Sequence, residues 1–294
     1  MRLESRLKKT ATAAGVPYET VLKDFAIGHV LSALATEKSL AGTLVMKGGT
    51  ALRKLFFADY RFSEDLDFTA RDAPRGDDLE AALRSVVWRA RERMEAHGAF
   101  ATTLDRVVLK EEHPGAQEAF VIRIRFPWQR EPLCVLKAEI TTDEPILIAT
   151  DARSVLHGYE EDLPGLLLCY SLEEIVCEKL RALLQNEERR KRRAWIRPRC
   201  RDFYDLWTLL AAPPPGFDAS AVRRSLPAKC EVRAVSFRSW EDFLPEHLVA
   251  LVVDAWEGDL GGLVPVVPEA AATVTLTETL SAKPTPLFAP EETH

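Results

Sequence analysis

Between residues 43 and 68 the chain passes from an apolar run into two adjacent glycines, then a helical pattern, then an alternating segment. Thr43-Leu44-Val45-Met46 is rich in strand formers and leads into Lys47-Gly48-Gly49. From Thr50 to Phe57, Ala51, Leu52, Leu55 and Phe56 recur at helical spacing. A helix start of this kind exposes backbone N–H groups with no internal partner, and its dipole adds partial positive charge, so an anion is favoured there. Two glycines let that anion approach the backbone closely. The spacing matches neither the G-x-x-x-x-G-K-[ST] phosphate loop nor the G-x-G-x-x-G dinucleotide turn, which excludes both. A turn with a purely structural purpose is the competing reading.

In Asp65-Leu66-Asp67-Phe68 the acids alternate with apolar residues. Residues i and i+2 of a strand share a face, so Asp65 and Asp67 project together while Leu66 and Phe68 enter the core. Two adjacent carboxylates repel unless a cation lies between them, and Mg²⁺ often takes one or two carboxylates together with substrate phosphates. A third acid is available at Glu139, in Leu133 to Thr141, where Leu133, Val135, Lys137 and Glu139 alternate with Cys134, Leu136, Ala138 and Ile140. Glu139 could complete a two-metal site, or form an ordinary Lys/Glu pair on a polar strand face.

Gly48-Gly49-Thr50, the S-x-D-x-D run at Ser63, Asp65 and Asp67, a later helical Lys179 and the acid in R-D-F-Y-D-L at Arg201 to Leu206 resemble the motifs of the AbiEii/AbiGii toxin family, MenT-like proteins included. The resemblance spans roughly residues 20 to 250. It implies an α/β (α+β) fold with a polymerase β-type nucleotidyltransferase core, a mixed sheet and a helical C-terminal part. It implies the toxin of a toxin–antitoxin or abortive-infection module, with a cognate antitoxin as partner. Some mycobacterial members add nucleotides to the tRNA 3′ end, so the expected activity is Mg²⁺- or Mn²⁺-dependent transfer from a nucleoside triphosphate to RNA. Carried over, Gly48, Gly49, Thr50 and Ser63 contact the triphosphate, Asp65 and Asp67 hold the metal, with Glu139 as a further ligand, and Lys179 neutralises phosphate charge. The last acid falls on Asp202 or Asp205, Asp202 being preferred. A phosphate added to Ser63 would bring about −1.5 to −2 charge beside the acids and silence the site. A small-molecule or protein acceptor, or a non-catalytic nucleotide- and RNA-binding module, are the alternatives.

The net charge of −6 gives no global footprint for nucleic acid, but the cations are unevenly placed. Arg189, Arg190, Lys191, Arg192, Arg193, Arg197, Arg199 and Arg201 fall within thirteen residues, with Trp195 among them. Such a cluster suits a phosphate backbone and a stacked base, or a solvated connection between helices, with Glu187 and Glu188 pairing some of the charge. Five cysteines without C-x-x-C spacing and six scattered histidines predict no zinc site. No secretory leader or membrane span is apparent, so a cytoplasmic protein with no membrane partner is expected.

Residues 1–165 are expected to form the nucleotidyltransferase core, 166–282 a helical domain carrying Lys179 and Asp202, and 283–294 a disordered tail. Tyr18 to Glu37 reads as a helix with Val21, Phe25, His29, Leu31 and Leu34 on one stripe, His29 being a core residue. A long helix runs from Gly76 to about His97. Strands are expected at Thr102–Lys110, Ala119–Trp128 and Leu133–Thr142, with a turn at His113-Pro114-Gly115. Ser171 and Glu174 read as a capping box.

Overall fold

The structure is a computed structural model that describes residues 2–108, 116–193 and 196–270. The expected turn at 113–115, Trp195 and the tail at 283–294 lie outside the described residues. The chain divides into two compact units. The first comprises Met1–Glu144, Thr150–Cys169 and Gly262–Pro265; the second comprises Pro145–Ala149, Tyr170–Gly261 and the chain from Val266.

The first unit holds a seven-stranded mixed sheet: β1 (Leu44–Lys47), β2 (Asp65–Ala70), β3 (Ala101–Val107), β4 (Gln117–Arg125), β5 (Cys134–Thr141), β6 (Asp151–Ser154) and β7 (Leu166–Cys169). Their order is β3-β4-β5-β2-β1-β7-β6. β2 pairs parallel with β5, and β1 parallel with β7; the other pairs are antiparallel. The α/β class with a mixed sheet is therefore as expected. β6 and β7 were not foreseen: each is four residues long, too short to carry a readable period.

Around the sheet the first unit carries α1 (Leu3–Ala14), α2 (Tyr18–Leu34), a short α3 (Gly48–Ala51) and α4 (Gly76–Met94). α2 is buried on every side, from Thr20 through Leu34 with the single exception of Lys23. A helix enclosed all round is apolar all round, so the single stripe expected for it understates its burial. His29 is in the core as expected, 2% exposed. Burial lowers His29 and His157 alike to a pKa of about 3, so both are neutral imidazoles.

The helix after the glycines departs from the expected form. It starts at Gly48 and widens into a π-helical turn over Leu52–Phe56, with the Phe57 amide donating to the Leu52 carbonyl at 2.9 Å. Arg53 and Lys54 in this turn both reach Asp24 of α2. Lys54 Nζ lies 2.8 Å from Asp24 Oδ2, both side chains 2% exposed, and Arg53 Nε lies 3.4 Å from Oδ1. Burial opposes the charge on Asp24, but Lys54 and Arg53 outweigh it and hold the carboxyl below its usual range. The Tyr159 hydroxyl, its own ionisation pushed up by burial, donates to Asp24 at 2.8 Å.

The second unit is helical: α5 (Leu172–Arg193), α6 (Cys200–Ala211), α7 (Ala219–Glu231) and α8 (Glu246–Leu260). The Glu174 amide donates to Ser171 Oγ at 3.2 Å, one half of the expected capping box. The other half is absent because the Glu174 carboxylate turns elsewhere. It accepts from the amides of Leu147 and Ile148 and pairs at 2.7 Å with Lys229, both side chains wholly buried.

Removing one member of a buried ion pair strands the other's charge, at a cost of about 3–5 kcal/mol. Lys54→Met is expected to lose that much unfolding free energy in urea titrations. Adding Asp24→Leu should recover most of it; a double variant no more stable than the single one would rule out the stranded charge as the cause.

Candidate functional site

The sheet register assembles the acidic residues. β1 and β2 pair Lys47 with Asp67, and β2 and β5 pair Asp67 with Glu139 and Asp65 with Lys137. Paired residues on adjacent strands share a face, so Lys47, Asp67 and Glu139 form one row across three strands. Leu66 and Phe68, each 1% exposed, fill the opposite face, as the alternation predicts. Asp65 and Asp67 are half-buried.

The glycine turn lies directly beside this row. Gly48 has φ +75°, in the left-handed region, and a Cβ there would stand 2.9 Å from Asp67 Oδ2. A Cβ on Gly49 would collide with the Arg61 guanidinium and stand 3.1 Å from Ser63 Oγ. Thr50 Oγ1 lies 2.8 Å from Ser63 Oγ and donates to the Asp65 carbonyl. Gly48, Gly49, Thr50, Ser63, Asp65 and Asp67 are thus mutual neighbours. Ser63 is buried at 8% exposure, so a modifying group would have to open this segment. The preceding amide, Phe62 N–H, donates to the Leu263 carbonyl at 2.8 Å, and Thr20 Oγ1 bonds to the Gly262 carbonyl at 3.2 Å. A segment close to the end of the described chain therefore braces the loop that carries Ser63.

Two cations of this site, Lys47 and Arg61, flank the sequence motifs and have no role in the sequence reading. Arg61 is 3% exposed, its guanidinium against Gly49 and its Nη1 donating to the Phe62 carbonyl at 3.2 Å. Lys47 reaches Thr141 Oγ1 of β5 at 3.5 Å. Their signal was adjacency to the motif alone; only the folded turn brings a guanidinium to the glycines. Arginine beside free-standing backbone donors is well matched to phosphate oxygens.

Two carboxylates on one strand face, joined by substrate phosphates, are a ligand set that Mg²⁺ or Mn²⁺ accepts, so Asp65 and Asp67 fit such an ion. Glu139 is adjacent to Asp67 by register, but the three acids do not gather their oxygens into a compact three-ligand group. Among the described residues the one such group, with ligand atoms within 4.8 Å of one another, is His29, His157 and Glu161. Histidines scattered in sequence, read as making no zinc site, are thus not scattered in space.

In the second unit, Lys179 Nζ lies 2.9 Å from Asp202 Oδ1 and 2.6 Å from Asp205 Oδ2. The two acids share a face of α6, as their spacing requires. Asp205 is fully buried, whereas Asp202 is partly exposed and also meets Arg199 at 3.2 Å. Lys179 does not snorkel to water; it is 7% exposed and held between carboxylates. The basic cluster is not a loop at its start, since α5 continues through Arg193. Arg190 pairs with Glu187 and Lys191 with Glu188, at 2.6 and 2.8 Å, while Arg189, Arg192 and Arg193 are exposed. Cations in a last helical turn also satisfy the helix dipole.

A side chain at Gly48 would strain the left-handed backbone by about 1–2 kcal/mol and push Asp67 aside. Gly48→Ala is expected to weaken nucleoside triphosphate binding at least about tenfold, measured by calorimetry, for an unfolding penalty of only that size. Unchanged binding would remove the turn from the site.

The fold is similar to that of a crystal structure of a candidate nucleotidyltransferase from H. pylori. The TM-score is 0.53 at 20% identity, over 87% of this chain and 92% of that one. No curated protein matches the chain in sequence. The family model for the nucleotidyl transferase AbiEii toxin of type IV toxin–antitoxin systems matches residues 29–278. With that match spanning most of its length, the chain belongs to the AbiEii family of nucleotidyl transferase toxins.

Proposed function

We propose that this protein transfers a nucleotide from a nucleoside triphosphate to an RNA hydroxyl, the 3′ end of tRNA, and so blocks translation until a partner antitoxin neutralises it. The observation that carries the reading is the adjacency of the Gly48-Gly49 turn, with Arg61 and Ser63, to Asp65 and Asp67. Backbone donors and a buried guanidinium suit the triphosphate, and the paired acids suit the divalent ion that accompanies it. Bound there, Mg²⁺ or Mn²⁺ would supply charge neutralisation to the phosphates.

In the reaction the acceptor oxygen forms a bond to the α-phosphorus, the bond from that phosphorus to the β-phosphate oxygen breaks, and pyrophosphate leaves. Such transfer asks the protein for positioning and charge stabilisation rather than covalent help. The Gly48-Gly49 amides and Arg61 would hold the phosphates; Ser63 and Thr50 would keep the turn against β2. The family resemblance implies that Lys179 neutralises phosphate charge and places the last acid at Asp202 or Asp205; in this reading Asp202 accepts the hydroxyl proton. Glu139 is the alternative base. The exposed Arg189, Arg192 and Arg193 would attract an RNA backbone. Phosphorylation of Ser63 by a partner would separate it from Thr50 and close the site to nucleotide.

The test is label transfer. The protein, Mg²⁺ and total bacterial RNA are incubated with each α-labelled triphosphate in turn, beside Asp65→Asn. A labelled tRNA-sized band, reduced at least about 10²-fold in the variant, is expected. Pyrophosphate release without labelled RNA would indicate a small-molecule or protein acceptor. Neither product, from folded protein that still binds nucleotide, would reduce the site to a binding module.

A further inference from the structure

Three of the six histidines, His29, His97 and His157, lie 68 and 60 positions apart in sequence yet meet at one place in the first unit. His29 lies on α2, His157 and Glu161 lie between β6 and β7, and His97 lies just past the end of α4. The His29 and His157 rings are 5.1 Å apart and nearly perpendicular, and Phe25 and Tyr159 enclose them. His157 Nε2 stands 3.2 Å from Glu161 Oε2, and His97 Nε2 stands 2.9 Å from Glu161 Oε1.

The hydrogen bonding of this cluster is incomplete. A neutral imidazole has one N–H to donate and one lone pair to accept with. Both ring nitrogens of His29 and Nδ1 of His157 are buried without a partner among the described residues. Buried polar groups are very rarely left so. An apolar ring in place of either histidine would fill the space beside Phe25 without that cost, so packing alone does not account for two imidazoles here. The ring of His157 is aimed by its surroundings. Its Nδ1 abuts α2 at Gly28, where any Cβ would collide with it, and this turns Nε2 toward Glu161.

We propose that His29, His157 and Glu161 bind a divalent transition-metal ion of the zinc class, at a site separate from the nucleotide carboxylates. Two neutral imidazoles and one carboxylate are a ligand set that zinc takes, with a fourth position left for water. The 3.2 Å between His157 Nε2 and Glu161 Oε2 is within about 0.2 Å of the ligand–ligand spacing of a tetrahedron with bonds of about 2.0–2.1 Å. His97, on the other Glu161 oxygen, acts as the outer partner that orients a ligating carboxylate. Arg6, Arg93 and Lys54 oppose a dication nearby, and Glu160, Glu161 and Asp24 offset them. The ion would staple the segment between β6 and β7 to α2, the helix that also holds Asp24.

The experiment uses the full chain, stripped with a chelator, and the same chain carrying Asp65→Asn and Asp67→Asn, so that the nucleotide acids cannot hold the probe. Each receives Co²⁺ and is passed through gel filtration. One retained Co²⁺ per chain in both, with the visible bands of tetrahedral coordination, is expected; Zn²⁺ should displace it and raise the melting temperature by more than about 5 °C, whereas Mg²⁺ should do neither. His157→Gln and Glu161→Gln should each weaken retention more than about 100-fold, and Glu161→Gln, being partly exposed, keeps the test valid if His157→Gln does not fold. Cobalt retained by the wild type but lost from the double Asp variant overturns the proposal, as does no retention at all or undiminished retention in folded Glu161→Gln.

Discussion

A single buried carboxylate, Asp24, fixes the first unit's most consequential turn. It receives Lys54 and Arg53 from the π-helical turn and the Tyr159 hydroxyl from beyond β6. The helix that begins at the glycines is too short to hold itself in place by backbone hydrogen bonds alone. Its orientation comes from these charged contacts with α2, which is itself enclosed on every side. Widening the helix by one residue lets two consecutive cations converge on one acid, a use of the π-turn in keeping with its habit of appearing near functional positions. Glu174 does the same in the second unit, gathering two amides and Lys229. In both units a charge out of water is tolerated because every partner arrives at once.

Upon that anchor the sheet sets out the site by register. Parallel pairing of β2 with β5 and antiparallel pairing of β2 with β1 bring Lys47, Asp67 and Glu139 side by side. A register slip of one residue would bury the acids and expose Leu66 and Phe68. The apolar face thus protects the alignment of the polar one. Membership of the nucleotidyl transferase toxin family rests on the match over residues 29–278, and the pairing of the glycine turn with the two acids rests on geometry alone.

What could be read in advance was local. The period of two in Asp65–Phe68 and in Cys134–Thr141 sorted the faces correctly, because sheet burial imposes that period directly. The spacing of Asp202 and Asp205 showed a shared helix face, but not that both would hold Lys179. Long-range partners left no local trace: Arg61 against Gly49, Glu174 turning from its cap to Lys229, or His157 meeting His29. β6 and β7 were too short to show a pattern, and the π-turn follows from a tertiary charge contact rather than from propensity. His29 was rightly placed in the core by its apolar stripe, yet its neighbours there are determined by chain topology, which one sequence does not display.

The hydrogen bond from the Phe62 amide to the Leu263 carbonyl ties the loop before the two aspartates to residues made some two hundred positions later. β1 likewise has to wait for β7, and β2 for β5. The order of synthesis therefore matters. A chain growing on the ribosome has its glycine turn and both acids before β5 and β7 are made, and gains the brace from Leu263 last of all. The residues are thus made well before their surroundings are complete, so a truncated product carries the motifs without the arrangement that gives them meaning.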